Sequence, residues 1–379
     1  MKILQTIQGL SSRSGGPSSC LYHLSCGLNN LGIDTDILAI GSNNPQDDIS
    51  HDPFIHYIKD DQFSPLRISR GYGEYLKNHI EDFDLVHANA IWTWHTHQAA
   101  RYASKKKIPY IISPHGMLYP GGLQVSKLKK KIASVWYQRK DLQSAVLLHA
   151  TCNQERDYIR EFGLKNPIAV VPNCINISTL PTIRENENTK RRFGFIGRIN
   201  RYKNIHLIIE AWHNLGDKTN DCELVIIGKG DDEYENELKS LIVRYGIKNV
   251  KFEGFLTGEA LGNMINSLDF LILASISENF GMVVPEALLH GVPAITSKGT
   301  PWNDLPENGS GWWIDVYSDE LKSTILTAIT LPEATRREMG LKGREYILNN
   351  FMVDKVSAMM RDTYSWILNG DEKPDFVYV

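Results

Sequence analysis

The 379 residues contain no apolar run approaching the roughly 20 needed to cross a bilayer, so no segment reads as a membrane-spanning helix. The opening MKILQTIQG is too short for the apolar core of a secretory leader and reads as a first strand. Cysteine is scarce: Cys20, Cys26, Cys152, Cys174 and Cys222 are odd in number and scattered, with no C-x-x-C pair. That pattern argues against a disulfide framework or a zinc site and fits a reducing cytoplasm. The dinucleotide fingerprint G-x-G-x-x-G is absent as well. Net charge is only −3, which leaves nucleic acid out as a partner. Residues 1–180 carry 19 Lys and Arg against 15 Asp and Glu, and residues 181–379 carry 22 against 29. The first half is therefore mildly basic and suits an anionic partner.

What is present is the composition of a globular protein, 42% hydrophobic and 22% charged. The length suits two domains. Short apolar runs alternate with helical patterns from end to end, the order expected of doubly wound parallel sheets. The polar residues 178–191 read as a linker. They separate an N-terminal domain, residues 1–177, from a C-terminal one, residues 192–354, with a last helical segment at residues 355–379.

The most informative stretch is residues 275–293, SISENFGMVVPEALLHGVP. It follows the apolar run 270–274, a buried strand by pattern, and ends in Gly291-Val292-Pro293 before the apolar Ala294-Ile295-Thr296. Pro285 fits the first turn of a short helix, where a missing N–H costs nothing. Gly281, in the turn before it, has no side chain to keep a ligand off the backbone. The N–H groups of Phe280, Gly281 and Met282 at this helix start are an expected anion site. Glu278 and Glu286 bracket the turn. If both were helical they would lie roughly 12 Å apart along the axis. That exceeds the roughly 5–9.5 Å range of glycosidase carboxylate pairs, so a diphosphate-linked sugar suits them better. A second constellation lies at residues 192–198, RFGFIGR, a strand whose end places Arg198 before a helix starting near Lys203. Two cations there suit a diphosphate, which also meets the helix dipole.

These residues resemble the E-x7-E and G-R-x4-K motifs of the retaining family 4 glycosyltransferases, of the kind that serve bacterial exopolysaccharide and lipopolysaccharide synthesis. The resemblance implies the α/β GT-B fold: two Rossmann-like doubly wound domains facing a central cleft, with the C-terminal helix crossing back to the first domain. It implies that Glu278 contacts the donor sugar and Glu286 the ribose. The backbone of Asn279, Phe280, Gly281, Met282 and Val283 would meet the sugar hydroxyls and phosphate. Arg198 and Lys203 would grip the diphosphate, and Phe255 and Leu256 would lie by the base. His115, closing the strand PYIISPHG, matches the histidine beside the donor sugar and leaving phosphate. His115, Glu278, Arg198 and Lys203 form the implied catalytic set. The Gly-rich string at residues 9–16 resembles the family's N-terminal loop, with Gly15 and Gly16 beneath the donor phosphates and Ser14 near the acceptor. His87, Asn89 and Trp92, at or beyond a strand's carboxyl end, line an expected acceptor pocket. Where the family commonly has Pro-Asn-Gly this chain has Pro172-Asn173-Cys174, and a positive φ at Cys174 would be awkward.

Asp34-Thr35-Asp36 spells the D-x-D metal motif of the other large glycosyltransferase fold, but it precedes the strand at residues 37–40 and reads as a solvated strand entry. No metal or other cofactor is expected beyond the nucleotide-sugar cosubstrate. Residues 41–65, 119–122 and 309–313 read as loops or turns. Lys127, Lys129, Lys130 and Lys131 cluster at one helix start, where cations oppose the dipole, and suggest peripheral contact with the anionic inner leaflet of the plasma membrane. The reading is a cytoplasmic retaining hexosyltransferase. Its donor is UDP-glucose, with a GDP-sugar as second choice, and its acceptor a saccharide or lipid-linked saccharide. Two other readings stay open. A nucleotide-sugar 2-epimerase of the same fold would need acid–base groups at the sugar ring, and a non-catalytic glycan-binding protein would not need Arg198 and Lys203.

Overall fold

The computed structural model describes residues 1–11, 16–42, 44–63, 67–124, 126–177, 179–183 and 190–379. They divide into two compact units, Met1–Asn176 with Phe351–Val379, and Ile177–Asn350.

The first unit starts from seven parallel strands: β1 (Lys2–Gly9), β2 (Asp34–Ile40), β3 (Ile55–Ile58), β4 (Leu85–Asn89), β5 (Tyr110–Ser113), β6 (Leu147–Ala150) and β7 (Ile168–Val170). Successive side chains on a strand point to opposite faces. Leu4, Val86, Ile112 and Leu148 accordingly share one core cluster with Tyr72, Leu76 and Ala99, from the helices Arg70–His79 and Trp94–Lys106. Their neighbours Ile3, Leu85, Ile111 and Leu147 share another with Leu24 and Leu28 of the helix Gly16–Asn30. Burial on both faces is why these strands carry adjacent apolar pairs such as Ile3-Leu4 and Leu85-Val86 and not an apolar–polar alternation. The sheet runs β1-β2-β3 to one side and β4-β5-β6-β7 to the other, so its order reverses between β1 and β4. Ligand sites of open α/β sheets lie at the carboxyl ends of strands at such a reversal.

The second unit has six parallel strands: β8 (Arg191–Ile196), β9 (Cys222–Ile227), β10 (Val250–Gly254), β11 (Phe270–Leu273), β12 (Ala294–Ser297) and β13 (Gly311–Ile314). Their order, β10-β9-β8-β11-β12-β13, reverses between β8 and β11. Beyond the ends of β8 and β9 the backbones nearly touch. A Cβ on Gly228 would stand 1.8 Å from the Gly197 carbonyl oxygen, and one on Gly230 2.1 Å from that of Ile199.

The segment from Phe351 onward belongs to the first unit. The Ile175 N–H donates to the Phe351 carbonyl at 2.7 Å, and the Val353 N–H donates back to Ile175 at 3.0 Å. The helix Val353–Asn369 then adds Val356, Met360 and Tyr364 to the core cluster of Ile3 and Leu24. It crosses the helix Gly16–Asn30 at Gly27, where a Cβ would stand 2.1 Å from Ser357 Oγ. The final strand β14 (Val377–Tyr378) pairs antiparallel with β7 and completes an eight-stranded sheet. Nearby, Cys20 and Cys174 each point a sulfur at the other's carbonyl, at 3.7 and 3.6 Å. The backbone at Cys174 stays out of the left-handed region, so the missing glycine costs nothing there.

Three stretches expected as loops carry structure. Residues 41–65 contain the 3-10 turn Pro45–Asp47 and β3, a four-residue strand with only Ile55 buried and hence no alternating signal. Residues 119–122 run into the five-residue helix Pro120–Gln124. Residues 309–313 enter β13. There Gly311 is a close strand approach and not a turn, since a Cβ would stand 2.1 Å from the Ala294 carbonyl. The D-x-D aspartates lie inside the start of β2 and not before the strand. Lys2 Nζ stands 3.8 Å from each, and His56 Nε2 stands 3.1 Å from Asp36.

The crossing at Gly27 gives a stability test. Gly27→Ala overpacks it and should cost about 1–3 kcal/mol, read by urea unfolding. Ser357→Ala in the same chain should recover only part of the loss, because Val353 Cγ2 lies 2.9 Å from the same position.

Candidate active site

In the second unit the expected donor residues Arg198, Lys203, Glu278 and Gly281 follow β8 and β11, the strands at the sheet reversal. Lys203 closes the 3-10 turn Arg201–Lys203 after β8, and its ammonium donates to Glu278 Oε1. Ser275 Oγ donates to the same oxygen at 2.6 Å. Both charged side chains are mostly buried, so the pair is held away from bulk water. Backbone bonds fix the turn around it. The Ile276 N–H donates to Tyr202 at 2.8 Å, and the Glu278 N–H donates to Gly299 at 2.8 Å. Gly299 must be glycine for that approach, since a Cβ would stand 2.2 Å from the Ile276 carbonyl. Asn204, next to Lys203 with φ +52°, donates through Nδ2 to the Ala274 carbonyl at 3.0 Å and so ties the start of the helix Ile205–Leu215 to the end of β11.

Gly281 takes φ +77°, and the Trp302 indole N–H secures the turn by donating to the Phe280 carbonyl at 2.6 Å. The helix Val283–Leu289 follows, with Pro285 in its first turn. Glu278 lies outside this helix, so the helical spacing between the two glutamates does not apply. Glu286 is half-buried with no hydrogen-bond partner for its carboxylate among the described residues, and burial pushes its carboxyl up to about 7. Arg198 stands exposed just past β8, with no ion-pair partner among the described residues. Phe255 and Leu256 follow β10, the first 71% exposed and the second half-buried.

In the first unit, His87, Asn89 and His115 belong to a chain of hydrogen bonds whose donors can be assigned from one end. The Val171 carbonyl can only accept, so His149 carries its proton on Nε2 at 2.8 Å. Its Nδ1 then accepts from Ser113 Oγ at 2.7 Å, and Ser113 accepts from His87 Nε2 at 2.6 Å. His87 Nδ1 accepts from the Tyr364 hydroxyl at 2.8 Å, and Tyr364 accepts from Gln5 Nε2 at 2.8 Å. Gln5 Oε1 accepts from Asn89 Nδ2 at 2.9 Å, which leaves Asn89 Oδ1 to accept from His115 Nε2 at 2.9 Å. The chain ends at His115 Nδ1, a buried lone pair with no partner among the described residues. Burial holds the rings neutral: His87 well below the usual imidazole range, His149 near 4 and His115 near 3. A cavity of about 20 Å³, room for one water, is lined by Pro17, His87, Asn89, His115, His149 and Asn173.

His115 lies two residues beyond the end of β5 and not in it. Its φ is +52°, and Gly116 follows at +72°. Glu155 pins this turn. Its fully buried carboxylate accepts from the Gly116 N–H at 2.5 Å and from the Thr151 N–H and hydroxyl, each at 2.8 Å. Ala90 and Trp92, beyond β4, are also left-handed, at φ +73° and +67°. Strained non-glycine backbone thus collects at this edge, as it does at functional sites. Trp92 is half-buried, its indole N–H donating to the Met117 carbonyl at 3.3 Å. His87 is buried with both nitrogens engaged, so it serves the network and presents no free atom to an acceptor. Gly16 opens the helix Gly16–Asn30; Ser14 and Gly15 lie outside the described residues.

Residues 178–346 match the family model for glycosyl transferases group 1, and residues 15–174 match that for the glycosyl transferase 4-like domain. The chain belongs to the family 4 glycosyltransferases. An uncharacterized glycosyltransferase of Methanocaldococcus jannaschii is 25% identical over 305 residues, 76% of this chain and 73% of its own. Alpha-monoglucosyldiacylglycerol synthase of Streptococcus pneumoniae is 27% identical over 213 residues, 52% of this chain and 47% of that enzyme. Among solved structures, HepE of Anabaena in complex with UDP and glucose superposes with a TM-score of 0.76 at 18% identity, covering 96% of this chain and 99% of that one. The fold of this glycosyltransferase is GT-B.

Three supporting residues of the glycosyltransferase escaped the sequence reading. Ser275 was visible inside the motif but carried no sign that it would hold Glu278. Glu155 follows Thr151 by four residues, a spacing common to many helix starts. Tyr364 lies 359 residues from Gln5, and no local pattern could join them. The donor order makes a test. Long-range proton–nitrogen NMR spectra should show Nε2–H and a bare Nδ1 on His149, His87 and His115, each neutral down to about pH 5. Tyr364→Phe should move the His87 ring nitrogens without unfolding the chain; a proton on His115 Nδ1 in the wild type would break the assigned order.

Proposed function

We propose that this glycosyltransferase is a retaining hexosyltransferase that uses UDP-glucose and a saccharide or lipid-linked saccharide acceptor in surface polysaccharide synthesis. The observation that carries the reading is the mostly buried Lys203–Glu278 pair at the sheet reversal, with Arg198, also past β8, having no ion-pair partner among the described residues. HepE of Anabaena, which shares the fold, was solved with UDP and glucose. Here Arg198 and Lys203 take the charge of the diphosphate, the position where electrostatic stabilisation of a leaving group acts. When phosphate engages Lys203, Glu278 is released to accept from sugar hydroxyls, with Ser275 keeping it in place. Glu286 accepts from the ribose, the backbone from Asn279 to Val283 meets the sugar and phosphate, and Phe255 and Leu256 flank the base. His115 Nδ1, unprotonated, accepts from a substrate hydroxyl and does not neutralise phosphate. Two cations do the work of a metal, so activity should survive EDTA. The matched families and relatives are transferases, which favours transfer over the epimerase and glycan-binding readings.

The experiment is nucleotide release from UDP-glucose with and without added saccharide acceptors, with the anomeric configuration of the product read by NMR. Acceptor-dependent UDP release with retained configuration is expected; release without acceptor, or inversion, contradicts the reading. Arg198→Ala should weaken UDP binding about 10- to 100-fold, the range of a lost charged hydrogen bond.

Glu286 adds a pH signature. Its carboxyl sits near 7 in the unliganded chain. Ribose hydroxyls donating to the carboxylate favour its charged form and so lower that value on binding. UDP binding should therefore release a proton at pH 6–7, and affinity should rise with pH up to about 7 and then level off. Calorimetry in buffers of different ionisation enthalpy reads this directly, and Glu286→Gln should abolish it.

A further inference from the structure

Leu128, Ile132, Val135 and Trp136 are exposed by 73, 60, 85 and 67%. All four lie on one helical run made of Lys127–Ala133, the π turn Ser134–Gln138 and Arg139–Ser144. Exposure repeats every fourth residue, at 127 and 128, 131 and 132, 135 and 136, and 139 and 140, while Tyr137, Gln138, Asp141 and Leu142 are buried. On a pure α-helix such a stripe would drift by about 40° per repeat. The wider i→i+5 turn in the middle slows that drift and keeps the stripe on one face. One column of the stripe reads Leu128, Ile132, Trp136 and the adjacent one Lys127, Lys131, Val135, with Arg139 and Lys140 beyond. Trp136 is braced by Trp94, ring centroids 6.2 Å apart.

The charge along the exposed stripe has one sign. From Arg101 to Lys140 the chain carries ten Lys and Arg and no Asp or Glu, and the next acid, Asp141, is buried against His97. Of the four lysines expected from the sequence, the side chain of Lys129 lies outside the described residues. Lys130 turns inward, donating to the Gly122 carbonyl at 2.6 Å and lying 5.8 Å from the centre of the Trp92 ring. Lys127 and Lys131 stand exposed beside the apolar residues.

We propose that this face is a bilayer-insertion surface, in which Leu128, Ile132, Val135 and Trp136 enter the headgroup region of an anionic membrane and Lys127, Lys131, Arg139 and Lys140 bind its phosphates. The composition selects lipid over a protein partner. Protein interfaces are depleted in Lys, whereas in-plane interfacial helices combine Lys and Arg with Leu and Trp and bind through apolar area plus attraction to anionic lipid. Tryptophan favours the headgroup level. The inference stands on the first unit alone and does not depend on the donor assignment.

The test is cosedimentation of the full chain with phosphatidylcholine vesicles, with and without phosphatidylglycerol, across a salt series. Wild type should bind the anionic vesicles, less so as salt rises. A Leu128→Ser, Ile132→Ser, Trp136→Ser variant and a Lys127→Ser, Lys131→Ser variant should each bind at least about tenfold more weakly, because apolar area and charge both contribute. The lysine variant should also show the shallower salt dependence. Melting curves of the lysine variant should match wild type, since both changed side chains are exposed, and that of the apolar variant should fall by no more than the loss of the Trp136–Trp94 ring contact allows. Absence of wild-type binding at low salt, or wild-type binding by the triple apolar variant, overturns the proposal. So does a concentration-dependent dimer that the apolar variant abolishes, which would assign the face to a second copy.

Discussion

A lysine and a glutamate 75 residues apart meet where the second sheet reverses its strand order. Much of the second unit is arranged to permit that contact. Gly299 must lack a side chain so that its carbonyl can receive the Glu278 N–H. Asn204 takes a left-handed conformation and reaches the end of β11, which fixes the residue next to Lys203. Trp302 holds the Phe280 carbonyl and so the turn carrying Gly281. A mostly buried ion pair is a poor way to gain stability, because removing two charges from water offsets most of their attraction. It is a good way to keep a cation and a carboxylate in place, desolvated and close.

The first unit solves the complementary problem with neutral groups. Hydrogen bonds are donated in one direction from His115 through six side chains to the Val171 carbonyl, and burial keeps the three imidazoles uncharged. A satisfied buried network specifies one arrangement more sharply than apolar packing does. Tyr364 brings the returning C-terminal helix into that network, which gives the crossing at Gly27 and Ser357 a consequence for the site as well as for the core.

The placement of the expected donor residues was largely legible in the sequence because their spacing is local. Glu278, Gly281, Pro285 and Glu286 fall within nine residues, and Arg198 and Lys203 within six, so strand, turn and helix signals place them without tertiary information. What could not be read was which of them touch. The Lys203–Glu278 pair and the Tyr364–His87 bond join distant segments, and periodicity says nothing about such partners. Burial was misjudged where composition looked decisive: Lys130 counts as a surface charge in the sequence and folds inward over Trp92. Short elements were lost for the opposite reason, since β3 has four residues and only one buried side chain to announce it.

If Glu278 competes with the diphosphate for Lys203, titration calorimetry with UDP separates the two partners' roles. The account requires that Glu278→Gln bind UDP at least as tightly as wild type, because the lysine is freed, while sugar transfer collapses. Lys203→Met must bind UDP more weakly. A Glu278→Gln chain that loses UDP affinity as severely as Lys203→Met would contradict it.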